Sequence, residues 1–221
     1  MRDHTGGTKT SASGFSLLEL IIAMTLTLAV MAIASTLLAR SLNVRTREDS
    51  RTDAIADVQR ALNIMSREIA VGGYGFDQLS NGLVAGDTDA SSLRVRSNLN
   101  RYTNEATKYT IADPGEDVKF LLDTQGQTSF LVRYDQFAPS ATDTTVLANR
   151  VDSLAFTYLD AANATISNMA LVGDAATVRI TVGVNLPAVG RSGSPGYQPA
   201  STVQLTSDVA LRNKQENIDT Y

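Results

Sequence analysis

Apolar and polar positions follow three regimes along this chain. From Phe15 to Leu38 nearly every residue is apolar, small or hydroxylic, and Glu19 is the one charged residue among the 24. As a helix, such a run spans about 36 Å, enough to cross a hydrocarbon core of about 30 Å. From Arg40 to Ala70 the pattern turns amphipathic. Ile55, Val58, Leu62, Met65 and Ile69 recur at spacings of three and four, while Asp53, Asp57, Arg60, Arg67 and Glu68 fall opposite. That spacing predicts a helix with one apolar face, packed on a sheet of the same chain rather than in a coiled coil. Gly72-Gly73 is the stop signal. The two regimes join without a breaker, which predicts one helix from Phe15 to Val71, about 85 Å long.

After Tyr74 the helical period gives way to short alternating runs between turn signals. Candidate strands carry Leu93-Val95-Leu99, Tyr109-Ile111, Val118-Phe120-Leu122, Phe130-Val132-Tyr134, Leu154-Phe156-Tyr158, Val178 to Leu186, Val203-Leu205 and Val209-Leu211. Asp123 to Gly126 and Asp160 to Asn163 read as turns, and Pro187 to Pro199 as a mobile hairpin connection with a contact loop as the sharper alternative. Each run buries one face, so antiparallel pairing is expected. The fold class is therefore α+β, a long amino-terminal helix against a mostly antiparallel sheet or two sheets. The corresponding division is 1–14 as a leader, 15–39 as an apolar helix half, 40–71 as an amphipathic half and 72–221 as a β-rich head.

Composition narrows the chemistry. The net charge of −4 argues against a nucleic-acid backbone as partner, since that requires clustered Lys and Arg. Arg94, Arg96 and Arg101 form a small basic run near Tyr102, read as a solvated strand edge rather than a single-stranded DNA contact. There is no cysteine, which removes disulfides and thiolate metal sites, and His4 is the only histidine. No nucleophile elbow, phosphate loop or histidine metal cluster is present. Asp87-Thr88-Asp89 and Asp113 to Asp117 lack the twelve-residue spacing of a calcium loop and read as plain turns. No cofactor and no catalytic role are expected.

Glu19 is then the residue that needs explaining, because a carboxylate in an apolar helix is costly and usually marks function. A cleavable secretory signal has a shorter apolar core and a small-x-small end, approached here only by Ala32-Ile33-Ala34. An ordinary anchor accounts for the length but not for Glu19. The stretch Gly14-Phe15-Ser16-Leu17-Leu18-Glu19-Leu20, behind the short polar leader Met1 to Ser13, resembles the type IV prepilin (class III) signal. The resemblance implies cleavage after Gly14 by an inner-membrane prepilin peptidase, which also methylates the new Phe15 terminus. It further implies that Glu19 pairs with the Phe15 amine of a neighbouring subunit, offsetting the cost of two unpaired charges in lipid. Its other implied partners are further pilin subunits, the inner membrane and a pilus assembly platform. The head would lie outside the cytoplasm, later on a filament at the cell surface.

Two features depart from the simplest form of this pattern. Arg2 and Lys9 precede the apolar run, whereas Arg40, Arg45, Arg47 and Arg51 follow it. Counting basic residues alone would place the head in the cytoplasm. The acidic neighbours Glu48, Asp49 and Asp53 partly compensate, and the motif implies a leader-in orientation. Thr36 stands where many major pilins carry a kinking proline, so an unkinked helix and a minor subunit are expected. The stretch Val58 to Gly75, with Arg67-Glu68-Ile69 and Gly73-Tyr74, is similar to PilW-type minor pilins and more loosely to minor pseudopilin J of type II secretion, as is Val209 to Asn213. The readings that follow are a minor pilin that starts or caps a pilus, a minor pseudopilin at the tip of a secretion pseudopilus, and a tip adhesin or DNA-uptake pilin.

Overall fold

The computed structural model describes residues 14–76, 80–101, 103, 105–106, 108–126 and 128–214. Its organising element is helix α1, Leu17–Ala70, 54 residues without a break and about 81 Å long. The helix passes through Thr36 as expected, and the Thr36 hydroxyl donates to the Ile33 carbonyl of its own helix at 2.7 Å. It ends where the sequence placed its stop. Val71 caps it through bonds to Glu68 and Ile69, and Gly73 turns the chain at φ 76°. A side chain at Gly73 would lie 1.8 Å from the Ser80 carbonyl, so the turn both needs a left-handed residue and leaves no room for one with a Cβ.

Two antiparallel sheets follow. The first is formed by β1 (Leu93–Arg96), β2 (Asp117–Gln125), β3 (Thr128–Asp135) and β4 (Thr144–Asn149), in that spatial order. The second is formed by β5 (Ser153–Leu159), β6 (Thr177–Leu186) and β7 (Ser201–Ala210). The second half of α1 packs against β4, β6 and β7. The stripe Val58, Leu62, Met65 and Ile69 is buried together with Ala61, and Ile55 is half-buried at its edge. Phe120, Leu131, Tyr158, Ile180 and Val182 meet it in one continuous core shared by both sheets. The α+β expectation, with two sheets, is what the chain forms.

The strand assignments differ from the pattern reading in six places. Leu99 lies in a turn beyond β1. Asp123 to Gln125, expected as a turn, are the last residues of β2 and pair with β3, which leaves Gly126 to turn the hairpin. Tyr109-Ile111 lies in turns and irregular backbone rather than in a strand. Strand β4 was not legible, because Thr144 and Thr145 are exposed and only Leu147 and Ala148 point inward. Val203-Leu205 and Val209-Leu211 belong to one ten-residue strand and its exit rather than to two. In β3 the core face is not Phe130-Val132-Tyr134. Phe120 pairs with Arg133 and Leu122 with Leu131, so Leu131, Arg133 and Asp135 share the inner face. Arg133 can face inward because Glu68 of α1 accepts from its Nε at 2.8 Å and Asp135 from its Nη1 at 3.2 Å. Period-2 reading assigns a strand's faces by apolarity, and a half-buried ion pair reverses that assignment.

Two buried polar groups tie loops to this frame. The Asn81 amide donates to the carbonyls of Val172 and Ala175, and its oxygen accepts from Leu83 N. The Tyr158 hydroxyl donates to the Asp89 carbonyl at 2.8 Å. Burial pushes that hydroxyl's pKa up, with the nearby Asp89 charge adding to the effect, so it stays a neutral donor.

Candidate functional site

The amino-terminal segment is built very differently from the head. Gly14 and Phe15 are exposed ahead of the helix. A side chain placed on Gly14 would meet nothing within 4 Å, so this fold gives no steric reason for a glycine there. Ser16 is the N-cap, extended at φ −69° and ψ 143°, and its hydroxyl accepts from Leu18 N at 3.3 Å. Glu19 falls at the third helical position, in the first turn, where the helix macrodipole favours a negative charge. Ser16-x-x-Glu19 also has the spacing of a capping box, although the Ser16 hydroxyl here bonds Leu18 N at the second helical position rather than Glu19 N at the third.

Beyond this turn the side chains from Leu17 to Leu38 project away from everything else in the chain. Leu17 is 76% exposed and Val30 66%, and in the most apolar 18-residue window of α1 no residue is buried. Soluble domains do not leave an apolar surface of this length uncovered. The threonine hydroxyls inside the run are satisfied internally. Thr25 donates to Ile22 O and Thr27 to Ala23 O, as Thr36 does to Ile33 O. Such bonding suits a helix surrounded by lipid or by other apolar helices, where no water would take those donors.

The head closes on α1 lower down than the apolar stripe predicts. Arg47, 7% exposed, sends its guanidinium into the β6–β7 connection. Nη1 donates to Leu186 O at 3.2 Å and also to Pro187 O, while Nη2 donates to Pro199 O and Ser201 Oγ, both at 2.6 Å. The connection Pro187 to Pro199 is therefore pinned to the helix rather than free, and Val189 and Gln198 exchange both backbone hydrogen bonds within it. Arg47 stands eleven residues, three helical turns, before Val58 and on the same face. Extending the apolar stripe by that period would have found it. Its charge hid it, because one basic residue among four after an apolar run reads as a topology signal.

The carboxylates of the head are used structurally. Asp117 is buried and accepts from Arg94 Nε at 2.7 Å, Arg94 Nη2 at 2.8 Å and Arg96 Nε at 2.8 Å. Burial pushes its carboxyl up, but the hydrogen bonds from Arg94 and Arg96 outweigh this and hold it below the usual carboxylate range. Arg94 also binds Asp87. Arg94 and Arg96 are thus ion-paired rather than merely solvated, and Arg101 donates to Gly75 O at 2.6 Å. Tyr102 lies outside the described residues. Glu116 accepts from Ala112 N and Asp113 N, and the Asn100 amide donates to Asp113. These are turn-closing contacts. Among the described residues no three His, Asp or Glu side chains converge on one point. A groove of about 770 Å³ runs beside the end of α1 between Asn63, Arg67, Tyr74, Asp208 and Arg212. Asp208 is already bound to Arg179 there.

A folded head on a helix whose first half nothing in the chain covers leaves an apolar surface of the kind that lipid or other apolar helices bury. The sequence comparison agrees for the segment concerned. Residues 9–35 match the family described as the prokaryotic N-terminal methylation motif, so this chain carries the type IV pilin signal. Among solved structures it is similar to a type IV-like pilin from Thermus thermophilus, at 8% identity and a TM-score of 0.44, over 73% of this chain and 97% of that one. No curated protein matches the chain.

Proposed function

We propose that this protein is a minor pilin-type subunit, made as a precursor, cleaved after Gly14 and methylated on Phe15, that helps to start or cap a filament. The observation that carries the reading is the junction at Gly14 and Phe15. A methylation motif over 9–35 stands at the head of a helix whose first half the chain itself leaves bare. Gly14, unneeded by the fold, is explained by a peptidase that must approach the backbone closely. Leader Met1 to Ser13, outside the described residues, stays in the cytoplasm. The helix lies in the inner membrane and the head in the periplasm, and the partners are the prepilin peptidase, other subunits and an assembly platform. The role is structural, resting on surfaces rather than on a catalytic centre.

Glu19 of an incoming subunit pairs with the Phe15 ammonium of its neighbour and fixes axial register. Both charges are costly in lipid when alone. The resemblance of Val58 to Gly75 to PilW-type chains favours a pilus over a secretion pseudopilus. Replacing Gly14 by a bulky residue tests the reading. Processing is expected to stop while the head remains folded, because that position has open space in the chain's own structure. Continued cleavage of the variant would count against it.

A further inference from the structure

The β6–β7 connection, residues 187–200, runs down α1 toward the apolar segment. Its stem is held at Arg47. Further along, Gly190 abuts Asn43, where a Cβ would come within 2.8 Å of the Asn43 amide nitrogen. Gly196 abuts Arg40, where a Cβ would lie 2.4 Å from the Arg40 Cα. From Arg47 to Arg40 is about 10 Å of helix. The tip, Arg191 to Pro195, is closed by the bond from Ser194 N to Arg191 O. It therefore sits level with Arg40, two residues beyond Leu38, where the apolar run ends.

Charge at this level has one sign. No carboxylate occurs in α1 between Glu19 and Glu48, and none occurs in residues 187–200. Arg40, Arg45 and Arg191 are all exposed there. Arg45 approaches Asp49 at 3.8 Å, whereas Arg40 and Arg191 make no ion pair among the described residues. Arg47 does not face solvent, because the loop carbonyls hold it. The cations left outside thus flank the point where the helix leaves its apolar run, and the loop adds one that is remote in sequence.

We infer that the β6–β7 loop is a membrane-contact surface, seated on anionic phospholipid headgroups on the head's side of the bilayer, with Arg40 and Arg191 as its phosphate-binding groups. The inference rests on reading residues 15–39 as a membrane segment. Continuity with that segment puts the loop tip within a Debye length, about 8–10 Å, of the lipid surface, where attraction to anionic lipid is effective. The far end of the head, about 45 Å along α1 at Ala70, is beyond its reach. Two points of attachment, the helix and the loop, set the head's tilt and rotation on the membrane before a subunit is withdrawn into a filament.

Absence of cysteine makes the test direct. The full chain with Ser192→Cys carries an environment-sensitive fluorophore at the loop tip, and Thr103→Cys carries one beside Arg101, at the far end. Both are reconstituted into vesicles of phosphatidylcholine, alone or mixed with phosphatidylglycerol, containing a headgroup-level nitroxide lipid. In the anionic vesicles the Ser192 probe is expected to be quenched several-fold more than the Thr103 probe. Adding Arg40→Ala and Arg191→Ala, or high salt, should remove most of that excess. Equal quenching at the two sites, or an excess indifferent to both arginines, overturns the loop contact. Flotation of the same samples separates the underlying reading. Failure to float with either vesicle type overturns the membrane segment itself, whereas flotation without loop quenching overturns only the contact.

Discussion

Glu19 has two physical accounts that a substitution series separates. At the third helical position it can support the Ser16 cap and the helix dipole, a local effect of about 0.5–1 kcal/mol that Gln largely reproduces through the capping box. As the partner of a neighbour's ammonium it must carry charge. Glu19→Ala and Glu19→Gln are therefore both expected to be cleaved normally and both to lose most incorporation into a filament, read by the fraction of subunit in sheared filaments. Assembly of the Gln variant at wild-type levels, with loss only in the Ala variant, would assign Glu19 to capping instead. Crosslinking between probes near Glu19 and Phe15 on differently tagged subunits gives the same distinction independently, because pairing within one chain yields no intersubunit product.

Asp117 makes a prediction in pH. Its folded-state pKa is lowered, so the stability it contributes is complete above the unfolded value of about 4 and is lost as pH falls through the folded value. Acid should loosen the attachment of β1 to β2. Asp117→Asn should cost about 3 kcal/mol at pH 7, the scale for removing one partner of a buried ion pair. The difference from wild type should shrink as melting is repeated toward pH 3. A gap that stays constant over this range would show that the loss is one of packing. Arg47→Ala should cost about 1–3 kcal/mol and raise hydrogen exchange in residues 187–200. Arg47→Lys should rescue little, since one ammonium does not reproduce a planar fork reaching four oxygens.

At the scale of elements, α1 is two helices in one. Residues 17–38 are stable as a helix only where water is excluded or neighbours pack, and residues 54–70 are stable because two sheets cover one face. A chain beginning near Arg40 keeps the stripe, the Arg47 clamp and the core, and is expected to be soluble with a single cooperative melt. A chain beginning at Tyr74 lacks Val58, Leu62, Met65 and Ile69, exposes the faces they cover and is expected to aggregate. Equal solubility and cooperativity of the shorter chain would contradict the packing described.

The same elements show what the sequence could reveal. Helix α1 was legible almost to the residue because its period, its stop at Gly72-Gly73 and its apolar run are each local signals. Strands β2, β5 and β6 were legible because their alternation is strict. Strand β4 and the inner face of β3 were not, because Thr144, Thr145, Arg133 and Asp135 owe their places to partners distant in sequence. Arg47 was missed for that reason too, since its four acceptors come from residues 186–201. The Gly14, Phe15 and Glu19 pattern needs no tertiary information at all. It is a linear signal, and the methylation motif matched over residues 9–35 spans it.

At the scale of the whole molecule, each part accounts for a different stage. In the function proposed above, the leader and Gly14 serve a peptidase, the bare half of α1 serves lipid and then other helices, and the head supplies the surface by which one subunit differs from another. The proposed orientation is leader-in, the one the methylation motif implies, although four arginines follow the apolar run. One of the four is structural, since Arg47 lies inside the head, and Arg45 has Asp49 one turn away. The proposed function requires that the chain be cut at the junction of leader and helix. The most direct measurement is mass spectrometry of the protein recovered from the membrane fraction of cells with an active prepilin peptidase. The account predicts a chain that begins at Phe15 and carries a methyl group on its amino terminus, and an unmethylated chain beginning at Met1 would contradict it.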